Sequence, residues 1–128
     1  MRFWFICFAL LIGCGGTKTL DPNPITVEAS ALAHEYEANE LAGDAKFKGK
    51  TLRIKGVVRE VSKDILGNPF VILEGTKNGY MGVQCSFAES TAPLLSRLKK
   101  GEATSFDCRV TGKLLHVQAS TCAINLMP

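Results

Sequence analysis

"KTLRIKGVVREV", Lys50–Val61, alternates along its length: Leu52, Ile54 and Val58 fall on one face of an extended chain, Arg53, Lys55 and Arg59 on the other. A period of two with aliphatic residues on one side marks a half-buried strand, not a helix. Gly56 stands in the middle and is followed by two valines, which predicts a bulge or bend of the kind a barrel strand needs where it turns a corner.

Towards the C-terminus the same period recurs. "GNP" at 67–69 is a turn signal, and "FVILE" follows as a second strand. "KNG" at 77–79 turns again into "YMGVQCSF", where Met81, Val83, Cys85 and Phe87 alternate with Tyr80, Gly82, Gln84 and Ser86. "STAPLLSRLKKG" then breaks the alternation: Thr91 as cap, Pro93 in the first turn, a stripe of Leu94, Leu95 and Leu98, and Gly101 at the end predict a helix. "ATSFDCRVTG" resumes with Phe106, Cys108 and Val110 on one face, and "LLHVQASTCAINL" is a fifth strand. Its phase slips between Val117 and Cys122, so a second bulge is expected if both point inward.

Three strands, a helix and two strands is the order of the OB-fold, a five-stranded Greek-key barrel with a helix plugging one end. Ahead of it, "TVEASALAHEYEANELA", Thr26–Ala42, places Ala29, Leu32, Ala33 and Tyr36 at spacings of three and four, an amphipathic helix with Thr26 as expected N-cap. The expected fold is therefore mainly β with helices: a five-stranded Greek-key OB-fold barrel preceded by an amphipathic N-terminal helix, one domain over 25–128. The 128 residues and 46% apolar content suit a single core and argue against a second domain.

The chain resembles the tRNA-anticodon-binding-like OB-fold lipoproteins and exported proteins. The resemblance runs through Asn39, "FKGKTLRIKGVV", "VQCSF", "LKKGEATSFDCRVTG" and "CAI", in that order, from about Glu28 to Ile124. It implies the fold; the family name records likeness to anticodon-binding domains, and nucleic-acid binding is not inherited with it. A single-strand binder needs aromatic side chains on strands two and three beside a positive groove, and only Phe70 and Tyr80 stand there.

Met1–Ile12, "MRFWFICFALLI", has one Arg and then ten uncharged apolar residues, the n-region and h-region of an export signal. Ten residues make a helix of about 15 Å, half of a bilayer core, too short to span it. Leu11-Ile12-Gly13-Cys14 resembles the lipobox of bacterial lipoproteins. That resemblance implies a signal peptide over 1–13, cleavage between Gly13 and Cys14, a diacylglycerol thioether on Cys14 and acylation of the new amino terminus, giving the stable anchorage that one chain lacks. Gly15, where Asp would retain a lipoprotein at the inner membrane, implies the outer membrane, facing the periplasm, if the source has two membranes. "GGTKTLDPNP", Gly15–Pro24, has no hydrophobic period and reads, with Cys14, as a lipidated flexible tether over 14–24.

The net charge of +3 is too small to make the whole chain a polyanion binder, so any such reading depends on placement. Lys46, Lys48, Lys50, Arg53, Lys55, Arg59 and Lys63 cluster against Asp44, Glu60 and Asp64 alone. Lys50, Arg53, Lys55, Arg59, Tyr80 and Gln84 are the candidate ligand-binding residues; the alternative is a solvated strand face that keeps the sheet from pairing with other chains. His34 and His116 stand in no motif with Ser or Cys, Cys85, Cys108 and Cys122 lack paired metal-ligand spacing, and no nucleotide-binding or hydrolase signature occurs, so neither catalysis nor a metal or cofactor is expected. The expected function is a membrane-anchored envelope binding or interaction module, with an envelope protein as partner; the alternative is a polyanion, oligosaccharide or nucleic-acid binder on the basic face.

After export, thiols meet an oxidising compartment. A two-residue turn at Lys113-Leu114 sets Cys108 opposite Ala119, about 10 Å along the strand from register with Cys122, whereas a turn centred near Leu115 would remove the conflict. Cys85 and Cys122 match recurring family positions on strands that neighbour in an OB barrel, so the resemblance implies a Cys85–Cys122 disulfide.

Overall fold

A computed structural model describes residues 20–125. The chain runs β1 (Ile25–Glu28), α1 (Ala29–Ala38), α2 (Glu40–Phe47), β2 (Thr51–Lys63), β3 (Pro69–Leu73), β4 (Val83–Ser86), a 3₁₀ turn (Glu89–Thr91), α3 (Ala92–Leu95), β5 (Ala103–Leu114) and β6 (His116–Ile124). Strand neighbours follow β2–β3–β4–β6–β5 and return to β2, which closes a five-stranded barrel. The β4–β6 pair is parallel and the other four barrel pairs are antiparallel, as an OB Greek key requires.

Alternation decided which side chains enter the barrel. Leu52, Ile54, Val58, Met81, Val83, Cys85, Phe87, Phe106, Cys108, Val110 and Val117 are all buried, in the phase the sequence predicts. Phe87 and Phe106 meet edge to face, with centroids 4.9 Å apart. Burying an aliphatic or aromatic side chain of this size contributes about 1.5–3 kcal/mol, which makes the alternation decisive for the fold.

The N-terminal region departs from expectation. Thr26 does not cap a helix: it lies in β1, which runs parallel to Leu52–Lys55 on the edge of β2 that β3 leaves uncovered. The helix starts at Ala29 with Glu28 as an N-cap that makes no side-chain bond, and it breaks at Asn39. The Asn39 Oδ1 accepts from the Ala42 amide at 3.1 Å and starts α2 in a new direction. The stripe of Ala29, Leu32, Ala33 and Tyr36 is fully buried as the period predicts, and the Tyr36 hydroxyl donates to Asp44 Oδ1 at 3.0 Å, tying α1 to α2.

Gly56 is not a bulge. A Cβ there would stand 2.9 Å from that of Ala29, so glycine lets α1 lie directly on β2. The bulge falls at Arg59, between the Val58–Leu73 and Glu60–Ile72 pairs. The expected helix over 90–101 is short: α3 is one turn, Thr91 makes no capping bond, and Leu94 faces solvent while Leu95 is buried.

The β5–β6 hairpin turns at Leu115, with Leu114 paired to His116, and carries two one-residue bulges. Thr111 is the extra residue on β5; Thr121, at φ 54°, is the extra residue on β6, where the phase slip is expected. The two offsets cancel, so Cys108 comes to face Cys122 with Cα atoms 4.2 Å apart, and these two form the disulfide. Cys85 is free and buried. The Cys85–Cys122 pairing is thus overturned, and with it the turn at Lys113-Leu114.

Candidate ligand surface

The six residues expected to bind ligand separate on either side of the Arg59 bulge. On the β1–β2–β5 side, Lys50 and Lys55 are exposed, but Arg53 is committed within the sheet: its Nε and Nη2 donate to Asp107 Oδ1 and Oδ2 at 2.8 and 3.1 Å. Arg53 and Asp107 are direct cross-strand partners, so this pair fastens β2 to β5. The side chain is held on the barrel wall and does not reach out towards an anion.

On the other side, Arg59 meets a cleft of about 520 Å³ whose wall also includes Glu74, Thr76, Lys77 and Lys100. Three cations against one carboxylate make it a positive recess. Each comes from a different element: Arg59 from the β2 bulge, Lys77 from the β3–β4 connection, Lys100 from the segment after α3. That last segment is drawn in by two backbone bonds, Gly101 N–H to Val58 O and Val58 N–H to Glu102 O, at 2.7 and 2.8 Å. Sequence reading finds Arg59 and misses Lys77 and Lys100, since a lysine beside a glycine turn carries no signal of where the turn will fold.

The floor beside this cleft depends on Gly82. A Cβ there would lie 2.5 Å from Leu73 O, so no other residue lets the chain approach β3 this closely, and its N–H donates to His116 Nδ1 at 3.0 Å. Burial holds the His116 imidazole below its ordinary pKa, the Arg59 charge adds to the effect and Glu60 opposes it. His116 is therefore a neutral acceptor that fastens β6 to the β3–β4 connection. His34, on α1, is exposed.

From Gly82 the outer face of β4 continues with Gln84, half-buried and flanked in register by Ile72 and Gln118, then Ser86 opposite Phe70. Tyr80 stands away from this row, fully exposed on the β3–β4 connection. The β3–β4–β6 face is thus uncharged, polar along β4 and β6 and apolar at Ile72 and half-buried Phe70 on β3, with the positive cleft at one end. It lacks a row of stacking rings.

The sulfurs of Cys85, Cys108 and Cys122 lie within 4.8 Å of one another in the core. Two of them are spent in the disulfide, and burial pushes the Cys85 thiol far above its ordinary pKa, so it is held protonated and unreactive.

The tRNA_anti-like family model matches residues 15–122. The chain belongs to the tRNA_anti-like family. No curated protein matches it. Among solved structures it is similar to a "putative nucleic acid-binding lipoprotein" from Klebsiella pneumoniae, at 14% identity and a TM-score of 0.65, over 80% of this chain and 92% of that one. It is also similar to a "putative aspartyl-tRNA synthetase" from Leishmania major, at 12% identity and a TM-score of 0.52, over 89% of this chain but only 24% of that one. At these identities the likeness is one of fold. The tRNA_anti-like domain is an OB-type binding domain. Cys14 lies outside the described residues, as do the expected signal peptide and most of the tether; the first strand among the described residues is β1, from Ile25, and ahead of it the Asp21 amide bonds Thr51 Oγ1 at 3.3 Å.

Proposed function

We propose that the chain is an exported bacterial lipoprotein, held to the cell envelope through acylated Cys14, whose OB barrel serves as a binding module for an envelope partner. The observation that carries the reading is the order Leu11-Ile12-Gly13-Cys14 directly behind a short apolar run and ten residues ahead of the first strand. Among the described residues no helix is long and apolar enough to cross a membrane, and the proposed attachment needs none. If the source has two membranes, Gly15 directs the protein to the outer one. Detergent phase partitioning tests the anchor: the parent chain enters the detergent phase and Cys14→Ser stays in the aqueous phase. A Cys14→Ser variant that still enters detergent means that the apolar run is an uncleaved anchor and that the lipoprotein reading is wrong.

A second reading is favoured by the convergence of Arg59, Lys77 and Lys100: the ligand is an anionic polymer of the envelope, bound in the cleft. Binding to heparin at low salt should then weaken steeply as ionic strength rises, and Arg59→Glu with Lys100→Glu should abolish it. Retention by heparin that ignores these substitutions rules out the cleft as the site. Failure to bind heparin, with co-purification of an envelope protein, leaves the first reading alone.

A further inference from the structure

The tip of the β5–β6 hairpin breaks the rules for a turn. Leu114 and Leu115 are 78% and 74% exposed, and Leu115 holds φ 66°, a left-handed conformation that Gly or Asn adopts at far smaller cost. A strained backbone that displays two leucines to water gains nothing within the barrel, and such outliers point to a contact outside it. The segments flanking the tip add to the apolar display. Lys113 Nζ lies 3.7 Å from Glu40 Oε1, which brings the start of α2 alongside, and Leu41 follows at 81% exposure. On the other side the Gly82–His116 bond brings up the connection that carries Tyr80, 79% exposed.

We propose that this end of the barrel docks on the bilayer that holds Cys14, with Leu114 and Leu115 entering the boundary between headgroups and acyl chains. The inference rests on the lipid-anchor reading, and the lengths of chain select the occupant. The described chain begins at Leu20 beside Thr51, which pairs with Arg109. From Arg109, β5 runs five residues to Leu114, about 17 Å at 3.4 Å per residue. Leu20 lies six residue steps from Cys14, a leash of at most about 20–22 Å. Leash and projection leave the same end of the barrel and match in length, so the tip reaches the membrane plane while the tether stays unstrained. The other exposed apolar turn, Ile65-Leu66, stands at the far end of β2, twelve residues and up to about 40 Å from Thr51, beyond the leash for end-on contact. Amphipathic Tyr80 and the stem of Lys113 suit the headgroup layer around the leucines.

The sole tryptophan, Trp4, precedes Cys14, so the mature chain contains none and Leu114→Trp is a single-site probe at an exposed position. The full mature chain is examined natively acylated and, in parallel, joined through Cys14 to a maleimide lipid, on vesicles containing acyl-brominated phospholipid. Expected is a blue-shifted indole emission from the Leu114→Trp variant, quenched at least twofold by the bromines, while Ile65→Trp remains red and unquenched. Equal quenching in both variants, or none in either, overturns the docking; so does a blue shift that grows with protein concentration without vesicles, which would place a second copy on the tip. Native protein that fails to float with vesicles, while the maleimide-coupled Leu114→Trp chain is still quenched, refutes the lipid-anchor reading and leaves the docking geometry standing.

Discussion

At the β2–β3 turn the Asp64 carboxylate accepts from the Leu66 and Asn68 amides, both at 2.9 Å, and Gly67 supplies the φ of 88° that closes it. At the β5–β6 turn the same left-handed conformation falls on Leu115, and the nearest side-chain support is Gln118 Nε2 donating to the Leu114 carbonyl at 3.1 Å. Both turns expose apolar side chains. In the first, Asp, Gly and Asn are the residues the backbone itself asks for; in the second, the side chain is kept against the backbone's preference and the hairpin is secured at its base by the Cys108–Cys122 bridge. The contrast teaches that exposure alone does not mark a contact surface, whereas exposure at a conformational cost does.

The bridge is the strongest lever on this contrast. The Cys108→Ala, Cys122→Ala double variant should lose about 3 kcal/mol in urea unfolding, from the loop it closes. Peptide mapping without reductant should recover Cys108 joined to Cys122, and a Cys85–Cys122 peptide would mean that the two bulges of the hairpin are misplaced. Asp64→Ala removes the carboxylate oxygen that accepts both amides of the β2–β3 turn and should cost about 1–2 kcal/mol. Unchanged stability would show that Gly67 and the backbone bonds of Asp64 with Gly67 and Asn68 suffice to hold that turn. Leu115→Asn should act in the opposite direction and raise the unfolding free energy by about 1 kcal/mol, since Asn accepts the left-handed region. A loss of stability there would mean that Leu115 packs within the domain and that the two turns are alike.

The smallest effect is a pH dependence located at His116. Its folded pKa lies below the unfolded value of about 6.5, because burial and Arg59 oppose protonation. Between the two values the unfolded chain binds more protons, so this contribution is fully present above about pH 6.5 and is lost as pH falls through that value towards the folded pKa. Melting temperature should decline on acidification over that interval, and the decline should flatten in His116→Asn. An equal slope in the variant would place the titrating group elsewhere.

Much of the barrel is legible in the sequence. The inward phase of Leu52, Ile54 and Val58, of Val83 and Cys85, and of Phe106, Cys108 and Val110 follows from alternation, and the slip before Cys122 announces the bulge at Thr121. The division of the N-terminal helix was less accessible. Asn39 caps α2 only because the chain before it is extended, and a continuous apolar stripe gives no sign of that break. The candidate surface was legible in part. Arg59 belongs to it, but Arg53 looked equivalent by alternation and is neutralised by Asp107, which lies 54 residues away.

The order of the five barrel strands and the face each buries were determined by the sequence by itself, because side-chain period is a local property set by backbone geometry within a few residues. Tertiary structure alone decided which cysteines meet and which cations converge. The turn centred on Leu115 sets Cys108 opposite Cys122, and the single-residue bulges at Thr111 and Thr121 cancel and keep them in register; either bulge alone would have moved them apart. Arg59, Lys77 and Lys100 come together because the backbone bonds of Val58 draw the post-α3 segment onto β2, a contact between groups that share no local pattern. Pairing register and loop placement depend on which distant hydrogen bonds close the barrel, and that is settled only when the whole sheet forms.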